Sequence, residues 1–146
     1  MPSVERLGAA LAEKLRGYEP VTVLAPAMGG LVIGQEVARQ LGARFIFVEK
    51  EEGNLVLRRG FKIEPCEKLI IVEDVVTKGG RVTETIAIAR EHQAQVCAVG
   101  VVVDRSNGVV DVGVPMECLL PMDVETFDSE NLPEDLLGIP ATKPGS

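Results

Sequence analysis

Apolar residues near the start of the chain recur at helical intervals. They are Val4, Leu7, Leu11 and Leu15. Ser3, a residue type that often caps helices, precedes them, and Gly17 follows them. Because side chains three or four positions apart share one face of a helix, this spacing predicts an amphipathic surface helix within residues 1–17.

Beyond this helix, the pattern alternates between strands and helices. Short β-branched or fully apolar runs predict buried strands, and stretches of helical period follow two of them across turns that contain glycine. The predicted strands are 21–25, 45–48, 69–72, 96–103 and 116–120, and the predicted helices are 31–41 and 81–92. Such alternation predicts an α/β fold with an open, mainly parallel sheet flanked by helices.

A charged segment after the second predicted strand has the pattern of a β-hairpin. Gly53-Asn54 lies between residues 49–52 and 55–59, which alternate in character on either side of it. Because so many of these residues are charged, we expect the hairpin to project from the sheet.

The length of 146 residues suits one domain, 1–146. Its last part, 123–146, is acidic and rich in proline, and we expect it to form a tail whose end, Lys143 to Ser146, is mobile. The three cysteines are an odd number at wide spacing within apolar stretches, which predicts reduced core thiols rather than disulfides or a metal site. They are Cys66, Cys97 and Cys118.

Charge and composition narrow the classes of partner. A net charge of −7 disfavours broad contact with nucleic acid or anionic membranes, and an aromatic content of 3% leaves little for base-stacking platforms. The apolar runs are far shorter than the ~20 residues of a membrane span, and the first residues lack the pattern of a signal peptide. We therefore expect a cytoplasmic protein that binds neither nucleic acid nor membrane.

One segment carries most of the candidate chemistry. The apolar strand 69–72 is followed by two acids, Glu73 and Asp74, then two apolar residues and the small polar turn Thr77 to Gly80. Paired glycines let backbone amides approach an anion at a helix start, and the acids can accept hydrogen bonds from sugar hydroxyls or bind hydrated Mg²⁺. A sugar phosphate would suit both parts of the segment, because its phosphate can bind at the glycine turn and its hydroxyls at the acid pair. The alternative is a βα connection whose acids are solvated.

This segment resembles the phosphoribosyl diphosphate (PRPP) signature of the type I phosphoribosyltransferases. The resemblance extends over nearly the whole chain and narrows to the orotate phosphoribosyltransferases: residues 26–30 resemble their diphosphate-binding turn, 49–61 their mobile catalytic loop, and 103–105 their base-contacting strand end. It implies transfer of the phosphoribosyl group of PRPP to orotate, with Mg²⁺ held mainly through PRPP and water. It also implies a homodimer whose mobile loop is shared across the interface.

The resemblance also implies a role for individual residues. Glu73 and Asp74 would hold the ribose hydroxyls, Arg105 the orotate carboxylate, and Lys50 the departing diphosphate, with Asp74 and Lys50 catalytic. Thr77 would also touch the base. The residues that would contact PRPP after the predicted strand 69–72 are Glu73, Asp74, Val75, Val76, Thr77, Lys78, Gly79, Gly80 and Arg81. Of these, Thr77 to Arg81 would cradle the 5′-phosphate, and the diphosphate turn would comprise Ala27, Met28 and Gly29.

Several positions depart from the family's pattern. Lys78 and Arg81 stand where small or uncharged residues are usual, and Glu49 stands where many members have arginine. For Arg58 and Arg59, contact with diphosphate and plain solvent exposure remain alternatives. The family usually has an amino-terminal hood over the base, and we expect this chain to lack it. His92 is expected to be a surface residue without a catalytic role.

Other functions remain open at this point. A phosphoribosyltransferase for a different base would share the PRPP loop, and a PRPP-sensing module would bind without turnover. A dinucleotide-binding domain is disfavoured because residues 25–30 do not supply the G-x-G-x-x-G spacing.

Overall fold

A six-stranded sheet forms the centre of the molecule. The computed structural model describes residues 2–125, 127–128, 130–140 and 142. Its strands are β1 (Thr22–Pro26), β2 (Arg44–Glu51), β3 (Asn54–Leu57), β4 (Lys68–Val76), β5 (Gln95–Asp104) and β6 (Met116–Pro121), in the spatial order β3-β2-β1-β4-β5-β6. All neighbours pair in parallel except β2 with β3. The predicted α/β class with a mainly parallel sheet is confirmed.

Three helices cover the two faces of the sheet. They are α1 (Pro2–Leu15), α2 (Gly30–Leu41) and α3 (Gly80–Glu91), with single 3₁₀ turns at Arg16–Tyr18 and Glu134–Leu136. Helices α1 and α2 pack with one set of strand residues, such as Val23 and Ile70, whereas α3 packs with the alternate set, such as Leu24 and Ile71. Because successive strand residues point to opposite faces, covering both faces explains why these strands are apolar without interruption.

The chain reverses its direction across the sheet between β1 and β4. From β1 it continues outward to β2 and β3, and from β4 outward to β5 and β6. Strand β1 pairs with β4 only as far as Leu24 opposite Ile71, so the two strands are no longer paired beyond that point. A crevice at the carboxyl ends of such neighbouring strands is the usual ligand site of open α/β sheets.

Strand β4 is longer than its apolar run predicts. Glu73 to Val76 were expected in a loop, but Glu73 pairs with Val101 and Val75 with Val103 on β5. The polar residues gave no strand signal because pairing with a neighbouring strand, rather than local hydrophobicity, extends β4. The acid pair consequently stands on a strand.

Two local details differ from expectation at the start of α1 and at the hairpin. Ser3 lies inside the first turn of α1, and Leu7 remains 42% exposed while Leu11 and Leu15 are fully buried. The hairpin turn is Glu52-Gly53, one residue earlier than predicted, and Asn54 begins β3 opposite Glu51. Both turn residues have positive φ, 50° and 91°, as a two-residue turn between twisted strands requires.

The cysteines are free, but the prediction of core thiols is wrong for Cys66. This residue is exposed in a turn with φ of 63°, whereas Cys97 and Cys118 on β5 and β6 are half-buried. Burial raises the pKa of the Cys97 thiol. No helix among the described residues is long and apolar enough to cross a membrane. The expected mobile end, Lys143 to Ser146, lies outside the described residues.

Candidate active site

Three segments from the sequence analysis meet at the carboxyl edge of the sheet. The turn Ala27 to Gly29 follows β1, the loop Thr77 to Gly79 follows β4, and Arg105 follows β5. The backbone N–H of Arg105 donates to the carbonyl oxygen of Val76 at 2.8 Å, which joins the last two segments. The tertiary fold therefore brings the predicted phosphate, diphosphate and base residues to one rim.

The acid pair has one buried and one exposed member. Glu73 is 3% exposed, its Oε1 accepts the N–H of Asp74 at 3.0 Å, and its Oε2 is buried with no hydrogen-bond partner among the described residues. Burial, supported by the neighbouring Asp74 carboxyl, raises the pKa of Glu73 to about 8, while the Asp74 N–H and the positive charge of Arg81 act in the opposite direction. Glu73 is therefore largely protonated at neutral pH.

Asp74 presents its carboxylate to solvent and to the facing turn. Its Oδ1 accepts the N–H of Val75 at 2.8 Å, and a Cβ added at Gly29 would lie 2.6 Å from its Oδ2. A Cβ added at Gly30 would lie 2.8 Å from the carbonyl oxygen of Val72 and 3.2 Å from Oε1 of Glu73. A side chain at Gly29 would displace the Asp74 carboxylate, and one at Gly30 would clash with the backbone of β4, so the two glycines allow the β1 turn to approach the acid pair closely.

The loop after β4 is shaped to hold an anion. Gly79 has φ of 78°, and a Cβ there would lie 2.5 Å from Cγ1 of Val110, whereas a Cβ at Gly80 would meet nothing within 4 Å. Gly80 thus leaves open space at the first turn of α3, where unpaired N–H groups and the helix dipole favour negative charge. Residues Glu73 to Val82 line a single cavity of about 180 Å³ at this position.

The turn after β1 closes the opposite side of the crevice. The N–H of Ala27 donates to the carbonyl oxygen of Val48 at 2.7 Å, and the N–H of Leu31 donates to the carbonyl oxygen of Met28 at 3.2 Å. The peptide bond between Ala27 and Met28 is cis. A second cavity, of about 420 Å³, is lined by this turn together with Glu49, Lys50 and Arg81. Lys50 and Arg81 are both exposed.

The hairpin holds its arginines in ion pairs. Arg59 Nη2 lies 2.9 Å from Glu49 Oε2, and Arg58 Nη1 lies 3.0 Å from Glu51 Oε1. The tip is exposed, but Leu55 is buried and its N–H donates to Glu84 Oε1 on α3 at 2.7 Å. In this conformation Arg58 and Arg59 face the hairpin's own carboxylates rather than the crevice.

Arg105 does not pair with its neighbour Asp104. Asp104 is 6% exposed and its Oδ1 accepts the N–H of Ser106 at 2.8 Å, so this carboxylate is used to fix the turn after β5. Arg105 itself is exposed and forms no ion pair within the described part of the chain. A free guanidinium at a strand end suits a carboxylate ligand because it can donate two parallel hydrogen bonds.

Two contributors to the site were not found from the sequence. Val110 packs against Gly79 from the segment after β5, and Glu84 holds the hairpin to α3. Neither belongs to a motif, because each acts through a contact between segments more than 25 positions apart in the chain. His92, expected on the surface, is exposed at the end of α3.

The described residues contain no cluster of three His, Cys, Asp or Glu side chains that could hold a metal ion. Asp74 lines the cavity of the loop after β4 and is exposed to solvent, whereas Glu73 beside it is buried. Carboxylate oxygen is a ligand that Mg²⁺ accepts, and Mg²⁺ commonly keeps several waters and binds through substrate phosphates. The site therefore fits a Mg²⁺ ion that arrives on a phosphorylated ligand.

The geometry defines an α/β protein with an acid pair and a glycine-containing loop at the topological switch point of its sheet. Residues 1–128 match the phosphoribosyl transferase domain family. The orotate phosphoribosyltransferase of Thermotoga petrophila is 51% identical over 140 residues, which cover 96% of this chain and 75% of that protein. That of Desulforamulus reducens is 46% identical over 142 residues, or 97% of this chain and 74% of that protein.

Solved structures agree on the fold. An adenine phosphoribosyltransferase from Thermoanaerobacter pseudethanolicus superposes with a TM-score of 0.73 at 18% identity, covering 83% of this chain and 81% of that one. An orotate phosphoribosyltransferase from Aeropyrum pernix gives 0.68 at 19% identity, covering 84% and 73%. The chain belongs to the phosphoribosyltransferase family. The two relatives above, about half identical to it over nearly its whole length, are both orotate phosphoribosyltransferases.

Proposed function

We propose that this chain is an orotate phosphoribosyltransferase, which transfers the 5-phosphoribosyl group of PRPP to orotate and yields orotidine 5′-monophosphate and diphosphate. The observation that carries the proposal is that one cavity is lined continuously from the acid pair to the start of α3. Carboxyl groups that can bind ribose hydroxyls and amides that can bind its 5′-phosphate thus lie within the reach of a single sugar phosphate. The level of identity to curated orotate phosphoribosyltransferases supports the choice of base.

In this reaction the bond from ribose C1 to the diphosphate oxygen breaks and its electron pair leaves with diphosphate. N1 of orotate forms the new bond to C1 and loses its proton. The transition state gathers negative charge on the leaving group, so cations near the β1 turn lower the barrier. Mg²⁺ bound to PRPP would neutralise part of that charge.

The residues of this chain divide the work by position. The backbone of Thr77 to Gly80, with Lys78, holds the 5′-phosphate, and Thr77 also lies beside the base. Asp74 and the protonated Glu73 bind the ribose hydroxyls, the first as acceptor and the second also as donor. Val75 and Val76 are the last two residues of β4 and connect the acid pair to the loop that begins at Thr77.

The two ends of the substrate pair are held from other strands. Arg105 at the end of β5 binds the orotate carboxylate, and Lys50 on β2 contacts the diphosphate beside Ala27, Met28 and Gly29. Asp74 would be the carboxylate beside a Mg²⁺ ion held mainly by PRPP and water, and that ion would supply positive charge to the leaving group.

We further propose a homodimer in which the exposed hairpin tip of one subunit reaches the site of its neighbour. The tip residues Glu51 to Asn54 are all exposed, so they are available for such a contact. We place the enzyme in the cytoplasm, where free cysteines such as the three in this chain stay reduced.

A diphosphate-release assay with PRPP, Mg²⁺ and a panel of orotate, uracil and adenine tests the function. The Asp74→Asn variant should lose about 10- to 100-fold in kcat/KM, since hydrogen bonds to a charged group are worth about 1.5–3 kcal/mol. Because Asp74 is exposed, its melting temperature should stay close to that of the unmodified chain.

Asp135→Asn, at another exposed aspartate, is the matched control and should keep full activity. Equal activity of Asp74→Asn would remove the acid pair from the mechanism. PRPP binding without release of diphosphate for any base would favour a binding module, and release with adenine or uracil alone would reassign the base.

A further inference from the structure

Arg81 follows the phosphate loop directly, yet its side chain reaches to a different strand. It is the second residue of α3, and its Nη1 lies 3.4 Å from the carbonyl oxygen of Ala27 in the turn after β1. These two residues are 54 positions apart in the sequence. The guanidinium therefore spans the crevice between β1 and β4.

This position puts Arg81 at the junction of two cavities. It lines the cavity of about 180 Å³ formed by Glu73 to Val82, and it also lines the cavity of about 420 Å³ bounded by Ala27 to Gly29, Glu49 and Lys50. The first cavity holds the acid pair and the phosphate loop. The second faces the β1 turn, which the proposed function assigns to diphosphate.

The charges around the second cavity favour an anion. Lys50 from β2 and Arg81 from α3 supply positive charge on two sides. The carboxylate of Glu49, which also lines the cavity, is engaged by Arg59 at 2.9 Å and by Arg58 at 3.8 Å, so its charge is balanced within the hairpin. In a chain of net charge −7, such a local excess of cations is needed for any polyanion to bind.

The 5′-phosphate and the diphosphate of PRPP do not need Arg81 equally. The 5′-phosphate already has the loop amides, the amino terminus of α3 and the side chain of Lys78. On the diphosphate side, Lys50 is the other cation that lines the cavity within the described residues. A guanidinium binds phosphate oxygens through two parallel hydrogen bonds, which a carbonyl oxygen at 3.4 Å does not satisfy.

We propose that Arg81 is a further catalytic residue that binds the leaving diphosphate, exchanging its contact with Ala27 for the phosphate oxygens. The proposal rests on phosphoribosyl transfer as the function of this site. Since negative charge on the diphosphate grows as the bond to ribose C1 breaks, the contact strengthens in the transition state and raises kcat. Arg81 thus serves the leaving group from α3, while the hairpin supplies Lys50 from β2.

Separate binding measurements on the two halves of the substrate test this assignment. Inorganic diphosphate and ribose 5-phosphate are titrated, each with Mg²⁺, into the full chain and into Arg81→Ala. We expect Arg81→Ala to weaken diphosphate binding about 10-fold or more, as for the loss of a charge-assisted pair, and to change ribose 5-phosphate binding less than about twofold. Arg81→Lys should recover part of the diphosphate affinity, because it restores the charge without the planar fork.

Activity provides the second readout. Arg81→Ala should lower kcat more than it raises the KM for PRPP, as expected for a contact that strengthens in the transition state. The matched control is Arg90→Ala, which removes the same charge from an exposed position near the end of the same helix and should leave both affinities and kcat unchanged.

Two results would overturn the assignment. Equal or greater loss of ribose 5-phosphate binding in Arg81→Ala would assign the side chain to the 5′-phosphate. Unchanged binding of both ligands with a lower melting temperature would make it a structural tie between α3 and the β1 turn. If Arg81→Ala fails to fold, Arg81→Gln, which keeps a donor toward Ala27, is measured in the same way. Failure of the proposed function is distinguishable, because the unmodified chain would then release no diphosphate from PRPP with any base.

Discussion

The loop after β4, which the proposed function assigns to phosphate, and the charged hairpin border the same crevice but are built differently. The loop stands on the buried strand β4, with Glu73 3% exposed and Gly79 packed against Val110. The hairpin tip is exposed. On either side of the tip, Glu49 forms ion pairs with Arg58 and Arg59. The loop is thus fixed by packing, whereas the hairpin is held by ion pairs that a ligand can replace.

The largest effect should come from the buried acid of the loop. Burial raises the pKa of Glu73 to about 8 in the folded chain, whereas the ordinary pKa of a glutamate side chain is 4.5. Between these values folding takes up a proton, so the contribution of Glu73 to stability is greatest at low pH and is lost as the pH rises to about 8. The slope is at most about 1.4 kcal/mol per pH unit. Glu73→Gln should flatten it.

Urea unfolding at several values between pH 5 and pH 8 measures this slope in the ligand-free chain. Equal slopes for the unmodified chain and Glu73→Gln would show that Glu73 is ionised in the folded state. The buried and unpartnered Oε2 would then need a partner that the structure does not show.

A pair of glycine substitutions compares the packing of the two regions directly. Gly79 and Gly53 both have positive φ, 78° and 91°, so alanine costs about 1–2 kcal/mol at either position. At Gly79 the new Cβ would also lie 2.5 Å from Val110, while at Gly53 it meets nothing within 4 Å. Overpacking adds about 1–3 kcal/mol, so Gly79→Ala should destabilise the chain more.

Thermal or chemical unfolding of the two variants side by side gives the difference. Gly79→Ala should also weaken ribose 5-phosphate binding, whereas Gly53→Ala should not. Similar stabilities for both variants would mean that the segment carrying Val110 yields easily, and that the loop is no more rigid than the hairpin.

The smallest effect is expected for an ion pair of the hairpin. Arg59 and Glu49 form a pair at 2.9 Å, but the arginine side chain is 61% exposed. Exposed pairs contribute about 0–1 kcal/mol, so Arg59→Ala should change the unfolding free energy by less than about 1 kcal/mol. A loss well above that value would show that the hairpin is fixed as firmly as the phosphate loop.

Arg59→Ala also tests how the hairpin affects binding of the leaving diphosphate. Removing Arg59 leaves the Glu49 carboxylate with only Arg58 at 3.8 Å, in a cavity that Lys50 and Arg81 line. Inorganic diphosphate should then bind more weakly, and adding Glu49→Gln to Arg59→Ala should restore the affinity. No recovery in the double variant would mean that Arg59 contacts the diphosphate itself.

Much of this protein follows from local patterns in its sequence. Apolar runs predicted each parallel strand, and helical spacing predicted α2 and α3 to within a residue or two at their ends. The acid pair and the glycine turn predicted a candidate phosphate-binding segment, because the backbone conformation and charge that an anion needs are encoded in adjacent residues. These features are properties of short segments, so the sequence alone determines them.

The tertiary structure decided what separate segments do together. Pairing with β5 carried β4 through the acid pair, and burial in the fold made Glu73 a protonated acid. The sequence places Arg81 next to the glycine turn after β4, but its side chain lies against Ala27 in the turn after β1. Such contacts join residues far apart in the chain, and their distances and desolvation arise only when the sheet order brings β1 beside β4.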